Sequence, residues 1–214
     1  MQNSILNDGP DDDGDVATRI AQQTLASRGA DYSSEVRRLL DAGREAMRRC
    51  GTDTRPRVAD IVAEAGLSND AFYRHFASKD ALVQAILEDG TIRLRSYLAH
   101  QMDKVAGPEA KVRHWVEGIL AQAVDPETAA TTTAVMWNSG GIAQSLSSPG
   151  TATVLAPLLE DPFAALDSPD PTGDATLVAH AVVGALSDHL RSGDRPTSGT
   201  VDRVTAFCLA ALPR

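Results

Sequence analysis

Cysteine is nearly absent: Cys50 and Cys208 are the only two in 214 residues. Their separation matches no metal or redox spacing. Each falls on the apolar side of an expected helix, which points to buried free thiols. Long apolar runs are missing too; no stretch reaches the roughly 18 residues that a membrane-spanning helix needs. The opening segment shows no basic-then-apolar leader and reads DGPDDDGD at Asp8–Asp15 instead. A GxSxG elbow, a phosphate loop and a Gly-rich dinucleotide turn are all lacking. His100, His114, His180 and His189 are scattered, with no metal-like grouping at helical spacing. Catalytic residues, a metal and a cofactor are therefore not expected. A cytoplasmic setting away from membranes is.

Basic residues are also in deficit. The chain carries 20 Lys/Arg against 29 Asp/Glu, a net charge of −9, whereas affinity for nucleic acid is built from cations facing phosphate. Distribution reverses that objection. Between Ser33 and Asp80, nine Lys/Arg stand against eight Asp/Glu, so the acidity lies elsewhere. An acidic body also discourages indiscriminate sticking along DNA. Apolar residues make up 43% of the chain, enough to supply a folded core.

The most informative stretch is Val58–Lys79, VADIVAEAGLSNDAFYRHFASK. Ile61, Val62 and Ala65 form an apolar stripe at helical spacing. Gly66 is a helix stop, because it enters the left-handed region without a Cβ penalty, and Leu67 can fold back on the stripe. Ser68 can cap a second helix, Asn69–Phe76, a bond worth about 1 kcal/mol. That helix buries Phe72 and Phe76 and turns Asn69, Asp70, Tyr73 and Arg74 elsewhere. Helix, glycine turn, helix with a polar outer face is a helix-turn-helix.

From Asp60 to Val83 the residue order resembles the tetracycline-repressor (TetR) family of bacterial transcription regulators. The anchors are Ile61, Ala65, Gly66, Leu67, Ser68, Phe72, Tyr73, His75, Phe76, Ser78, Lys79 and Leu82. The resemblance implies an all-α fold: an N-terminal three-helix bundle with the helix-turn-helix, then a larger helical ligand-binding and dimerisation domain. The corresponding divisions are 1–32, an acidic and partly disordered extension; 33–78, the DNA-binding domain; and 79–214, the effector-binding and dimerisation domain. It also implies a homodimer on double-stranded DNA with a palindromic operator, most readily a repressor released by a small molecule.

On this reading Asn69, Asp70 and Tyr73 face bases, with Asp70 equally able to help cap its own helix. By resemblance, Ser68, Tyr73, His75 and Lys79 hold phosphates. Arg55 and Arg57, flanking Pro56 at the start of the first reading helix, can reach phosphate as well. A short helix is expected at Val16–Ser27, and Arg19 and Arg28 of this N-terminal arm are further candidate phosphate contacts. A bracing helix is expected from a cap at Ser33 or Ser34 to about Arg49, burying Val36, Leu39, Leu40, Gly43, Met47 and Cys50 and leaving Arg37, Arg38, Arg44, Arg48 and Arg49 as a solvated face.

Ser78 caps a long fourth helix carrying Leu82, Ile86, Leu94, Leu98 and Met102, expected to stop at Gly107-Pro108. In the family such a helix shifts as a pendulum when effector binds. Helices follow at Glu109–Val124, at Glu127–Leu146 with a kink expected at Gly140-Gly141, and at Thr151–Leu166. Asp167–Asp174 reads as a linker. Tyr97, Met102, Trp115, Met136, Trp137 and Asn138 are the candidate effector contacts, and the scarcity of basic residues favours a small, largely apolar effector. Ala175–Arg191 and Thr200–Leu212 are the expected dimer helices. A helical ligand-binding protein that has lost DNA binding is the alternative. Intact Ser68, Tyr73, His75 and Lys79 weigh against it, whereas Asp70 and the acidic arm weigh for it.

Overall fold

The computed structural model describes residues 13–139 and 150–212, with backbone alone for 13–28. Expectations for the segment before Asp13, for the side chains of Arg19 and Arg28, and for Gly140-Gly141 lie outside the described residues. Within them the chain is helical, with no strand.

Helix α1 runs unbroken over Asp13–Cys50. The separate short helix and the fresh start at Ser33–Ser34 are thus corrected to one rod. A lone Gly29 costs about 1 kcal/mol in a helix, too little to break it, and both serines lie exposed on its surface. Helices α2 (Val58–Ala65) and α3 (Asn69–His75) form the helix-turn-helix. Pro56 precedes the α2 cap, Arg57, instead of opening the helix.

Helix α4 (Lys79–Met102) ends a few residues before the expected stop; Gly107-Pro108 instead opens α5 (Pro108–Leu120). Helix α6 spans Pro126–Asn138. Helices α7 (Thr151–Leu155) and α8 (Glu160–Ala164) flank a tight 3₁₀ turn at Ala156–Leu159 that contains Pro157. Helix α9 (Pro171–Ser192) begins inside the supposed linker, because Asp170 accepts a bond from Gly173 N–H and Pro171 suits a first helical turn. Helix α10 spans Ser198–Ala210.

Two hydrophobic cores organise these elements. The first joins Leu39 and Met47 of α1, Ile61 and Val62 of α2, Phe72 and Phe76, and Leu82, Val83 and Ile86 of α4. It also takes in Ala134 and Val135 near the end of α6. Gly43 lets α1 and α4 approach closely, since a Cβ there would lie 2.8 Å from Ile86 Cδ1. The second core gathers Leu98 and Met102 of α4 with Trp115, Val116, Ile119, Leu155, Phe163, Val178, Val182 and Cys208. Helix α4 therefore runs from one core to the other. Its first turns belong with the helix-turn-helix, so the packing does not divide at residue 78.

Burial pushes the Cys208 thiol up to about 11, so it stays protonated. Cys50 is only half-buried.

Candidate nucleic-acid interface

The turn between α2 and α3 is built as its residues demand. Gly66 adopts φ 62°, and Leu67 N–H returns to Val62 O at 2.9 Å. One fastening was not legible in the sequence. Arg38 of α1, read as part of a solvated face, donates to Ala65 O (2.8 Å, through Nε) and to Gly66 O (2.9 Å, through Nη2). It thus satisfies carbonyls left open at the end of α2. No helical periodicity would single out this arginine, because its partner lies in another element.

Ser68 Oγ accepts from Ala71 N–H at 3.1 Å, which starts α3. Phe72 is fully buried, and Phe76 is buried beside it with ring centroids 5.9 Å apart. Asn69, Asp70, Tyr73 and Arg74 all remain exposed, Tyr73 at 59%. The capping bond of α3 belongs to Ser68, while Asp70 sits in the first turn, where the helix dipole favours its charge.

His75 is a correction. Its side chain is fully buried, with Nε2 2.6 Å from Glu35 Oε2 and Tyr32 edge-on at 4.3 Å between centroids. A side chain with no exposed surface cannot hold a phosphate; here it ties α3 to α1. Arg74 Nη2 donates to the same carboxylate at 2.9 Å. The bond to His75, then that to Arg74, holds the Glu35 carboxyl below its ordinary 4.5. A lowered carboxyl stabilises the fold above its unfolded pKa and stops doing so as pH falls through the folded one. Glu35→Gln should therefore lower the melting temperature at neutral pH, with the gap to wild type closing as the pH falls through the lowered Glu35 titration. A gap that persists into acid would contradict this linkage.

Lys79, half-buried at the start of α4, donates from Nζ to Pro56 O at 3.2 Å. That bond places the beginnings of α2 and α4 side by side, two positive helix ends that favour an anion. Ser78 Oγ caps α4 by accepting from Ala81 N–H at 3.1 Å. Arg57 is exposed and forms no ion pair among the described residues. Arg55 is exposed and lies against Trp137, with its guanidinium carbon 5.3 Å from the ring centroid. By contrast, Arg44, Arg48 and Arg49 pair with acidic side chains. Apart from Arg37 on α1, which is also exposed, the cations of this half left to meet phosphate cluster around the α2 and α4 starts.

The six candidate effector contacts do not converge. Trp115 and Met102 are core residues, and the indole N–H of Trp115 donates to Leu155 O at 3.3 Å. Asn138 is buried, its Nδ2 bonded to Ala134 O at 2.9 Å. Met136 and Trp137 lie on the outside, Trp137 facing the helix-turn-helix half. Tyr97 alone of the six lines an open groove of about 320 Å³, together with Arg44, Gly90, Arg93, Leu94 and Gln122. Asp89 bridges the two arginines of that groove, at 2.7 Å from Arg44 and 3.0 Å from Arg93. Among the described residues no group of three or more His, Cys, Asp or Glu is arranged to hold a metal ion.

The comparisons with known proteins agree with this geometry. Residues 39–86 match the profile of bacterial regulatory proteins, tetR family. The uncharacterized HTH-type transcriptional regulator YvdT of Bacillus subtilis (strain 168) is 33% identical over 75 residues, 35% of this chain. The match spans about a third (34%) of that relative's length. Among solved structures, the fatty acid degradation regulator FadR from Bacillus halodurans superposes with a TM-score of 0.63 at 15% identity, covering 82% of this chain and 98% of that one. A putative TetR-family transcriptional regulator from Mesorhizobium loti MAFF303099 gives 0.61 at 14% identity, with 85% and 96% covered. These likenesses in structure establish the fold.

Proposed function

We propose that the chain works as a dimeric repressor: it binds a palindromic operator and is released by a small-molecule effector, a reading supported by the match of its helix-turn-helix to the tetR-family profile. The observation that carries the reading is α3 itself. Two buried phenylalanines anchor it, and Asn69, Asp70 and Tyr73 stand exposed beside a cluster of available cations. Asn69, Asp70 and Tyr73 read base edges, while Ser68, Arg55, Arg57 and Lys79 grip the backbone. The domain limits follow function: 33–78 reads DNA, 79–214 senses and dimerises, and 1–32 is an extension ahead of the reading unit.

Dimerisation is supported by what α9 and α10 leave uncovered. Val178, Val182 and Leu186 are spent on the subunit's own core, as is Cys208 of α10. The faces that remain carry Leu177, Ala181 and Gly184 on α9 and Ala206, Phe207 and Ala210 on α10, with Leu177 71% exposed. Large apolar side chains flanked by small ones suit close helix approach between two subunits. For an effector, the Tyr97 groove offers an aromatic wall with polar groups, the usual form of a ligand site. Ligand in that groove touches α4 between the two cores, where a tilt of the helix moves α3.

The roles separate experimentally. Lys79→Ala should weaken binding alike on every duplex and make its salt dependence shallower by about one phosphate's worth, whereas Asn69→Ala should relax sequence preference with the salt dependence unchanged. Identical effects of both on matched and mismatched duplexes would overturn the assignment.

A further inference from the structure

Arg55 and Trp137 meet across the two halves of the molecule. Arg55 comes from the connection ahead of α2, and Trp137 from the end of α6. At 5.3 Å from guanidinium carbon to ring centroid, the pair is within cation–π range. Helix α6 delivers the indole rigidly, because Ala134 and Val135, in the turn before it, are buried in the helix-turn-helix core. On the other side Arg55 adjoins Pro56, whose carbonyl takes the Lys79 ammonium. The guanidinium over the indole therefore belongs to the residue that adjoins the paired beginnings of α2 and α4.

Stacking occupies the face of a guanidinium and leaves its N–H edge free, the edge a phosphate takes in bidentate fashion. An arginine already held by an aromatic face also has less rotamer freedom to lose when it grips. We propose that Trp137 is a positioning residue for DNA binding, holding Arg55 ready for a backbone phosphate. The sensing half thereby supplies support for one contact of the reading half. A shift of α6 then loosens that contact directly, without passing along α4. This inference rests on the DNA-binding reading above.

The test titrates the full chain, as wild type, W137A, W137F, R55A and R55A/W137A, with a random-sequence DNA duplex over a range of sodium chloride concentrations. W137A should weaken binding about 2- to 5-fold, the span that an exposed cation–π contact supports. It should also make the log–log salt slope shallower by about 0.9, one phosphate. R55A should do at least as much, the double variant should match R55A, and W137F should keep most of the wild-type slope. Weaker binding with an unchanged slope, or the same further loss from W137A in the R55A background, would overturn the proposal, since Trp137 would then act through stability alone. A wild type that binds no duplex at low salt would remove the DNA-binding reading itself, and this inference with it.

Discussion

Phe72→Ala should cost about 3–5 kcal/mol, the loss typical of emptying a fully buried aromatic site. Phe72 has no exposed surface and belongs to the core that also holds Leu39, Ile61, Phe76 and Leu82, so its ring ties α3 into the core shared with α1, α2 and α4. Helix α3 has only seven residues, far below the length at which a helix persists on its own propensity. Without the ring, α3 loses its anchor, and Asn69 and Tyr73 lose their placement. DNA binding should vanish while the second core, built from other residues, keeps its fold. Thermal unfolding followed by circular dichroism should then show an early transition for the first core, ahead of a nearly unshifted one for the second. A single transition at the wild-type temperature would contradict the two-core organisation.

Trp115→Ala carries the second large effect, and it decides between two places for one residue. A Trp lining an effector site loses mainly ligand affinity on truncation. A Trp packed in a core loses transfer free energy and leaves a cavity, together about 3–5 kcal/mol. The structure places Trp115 in the core, fully buried and bonded through its indole N–H to Leu155 O at 3.3 Å. Truncation should therefore lower the melting temperature of the second core sharply and leave the α3 surface intact until that core unfolds. Wild-type stability in Trp115→Ala would contradict this placement.

Short-range chemistry was the legible part of the sequence. Gly66, Ser68 and Ser78 act locally as a helix stop and two caps, each through a bond that spans a few residues. The stripe of Ile61, Val62 and Ala65 and the pair Phe72 and Phe76 mark their buried faces at helical spacing, and all five are buried. Long-range partners were not legible. Arg38 and Glu35 look like surface charges on α1, yet one closes the end of α2 and the other binds His75. Trp137 reads as a pocket residue because aromatic and amide groups cluster near it, but α6 turns it toward Arg55. An apolar residue on a helix also does not say which core it enters. The faces of α9 show this: Val178 and Val182 serve the subunit interior, and Leu177 one position away remains uncovered.

Selection of bound duplexes from a random DNA pool tests the central claim most directly, because it presumes neither operator nor effector. A dimer that presents two α3 helices to successive turns of the major groove should enrich an inverted repeat with half-site centres about 10 base pairs or a multiple of that apart. Asn69→Ala should change the enriched bases at fixed positions within each half-site. Recovery of an unbiased pool by the wild-type protein at low salt, with the fold intact, would contradict the account.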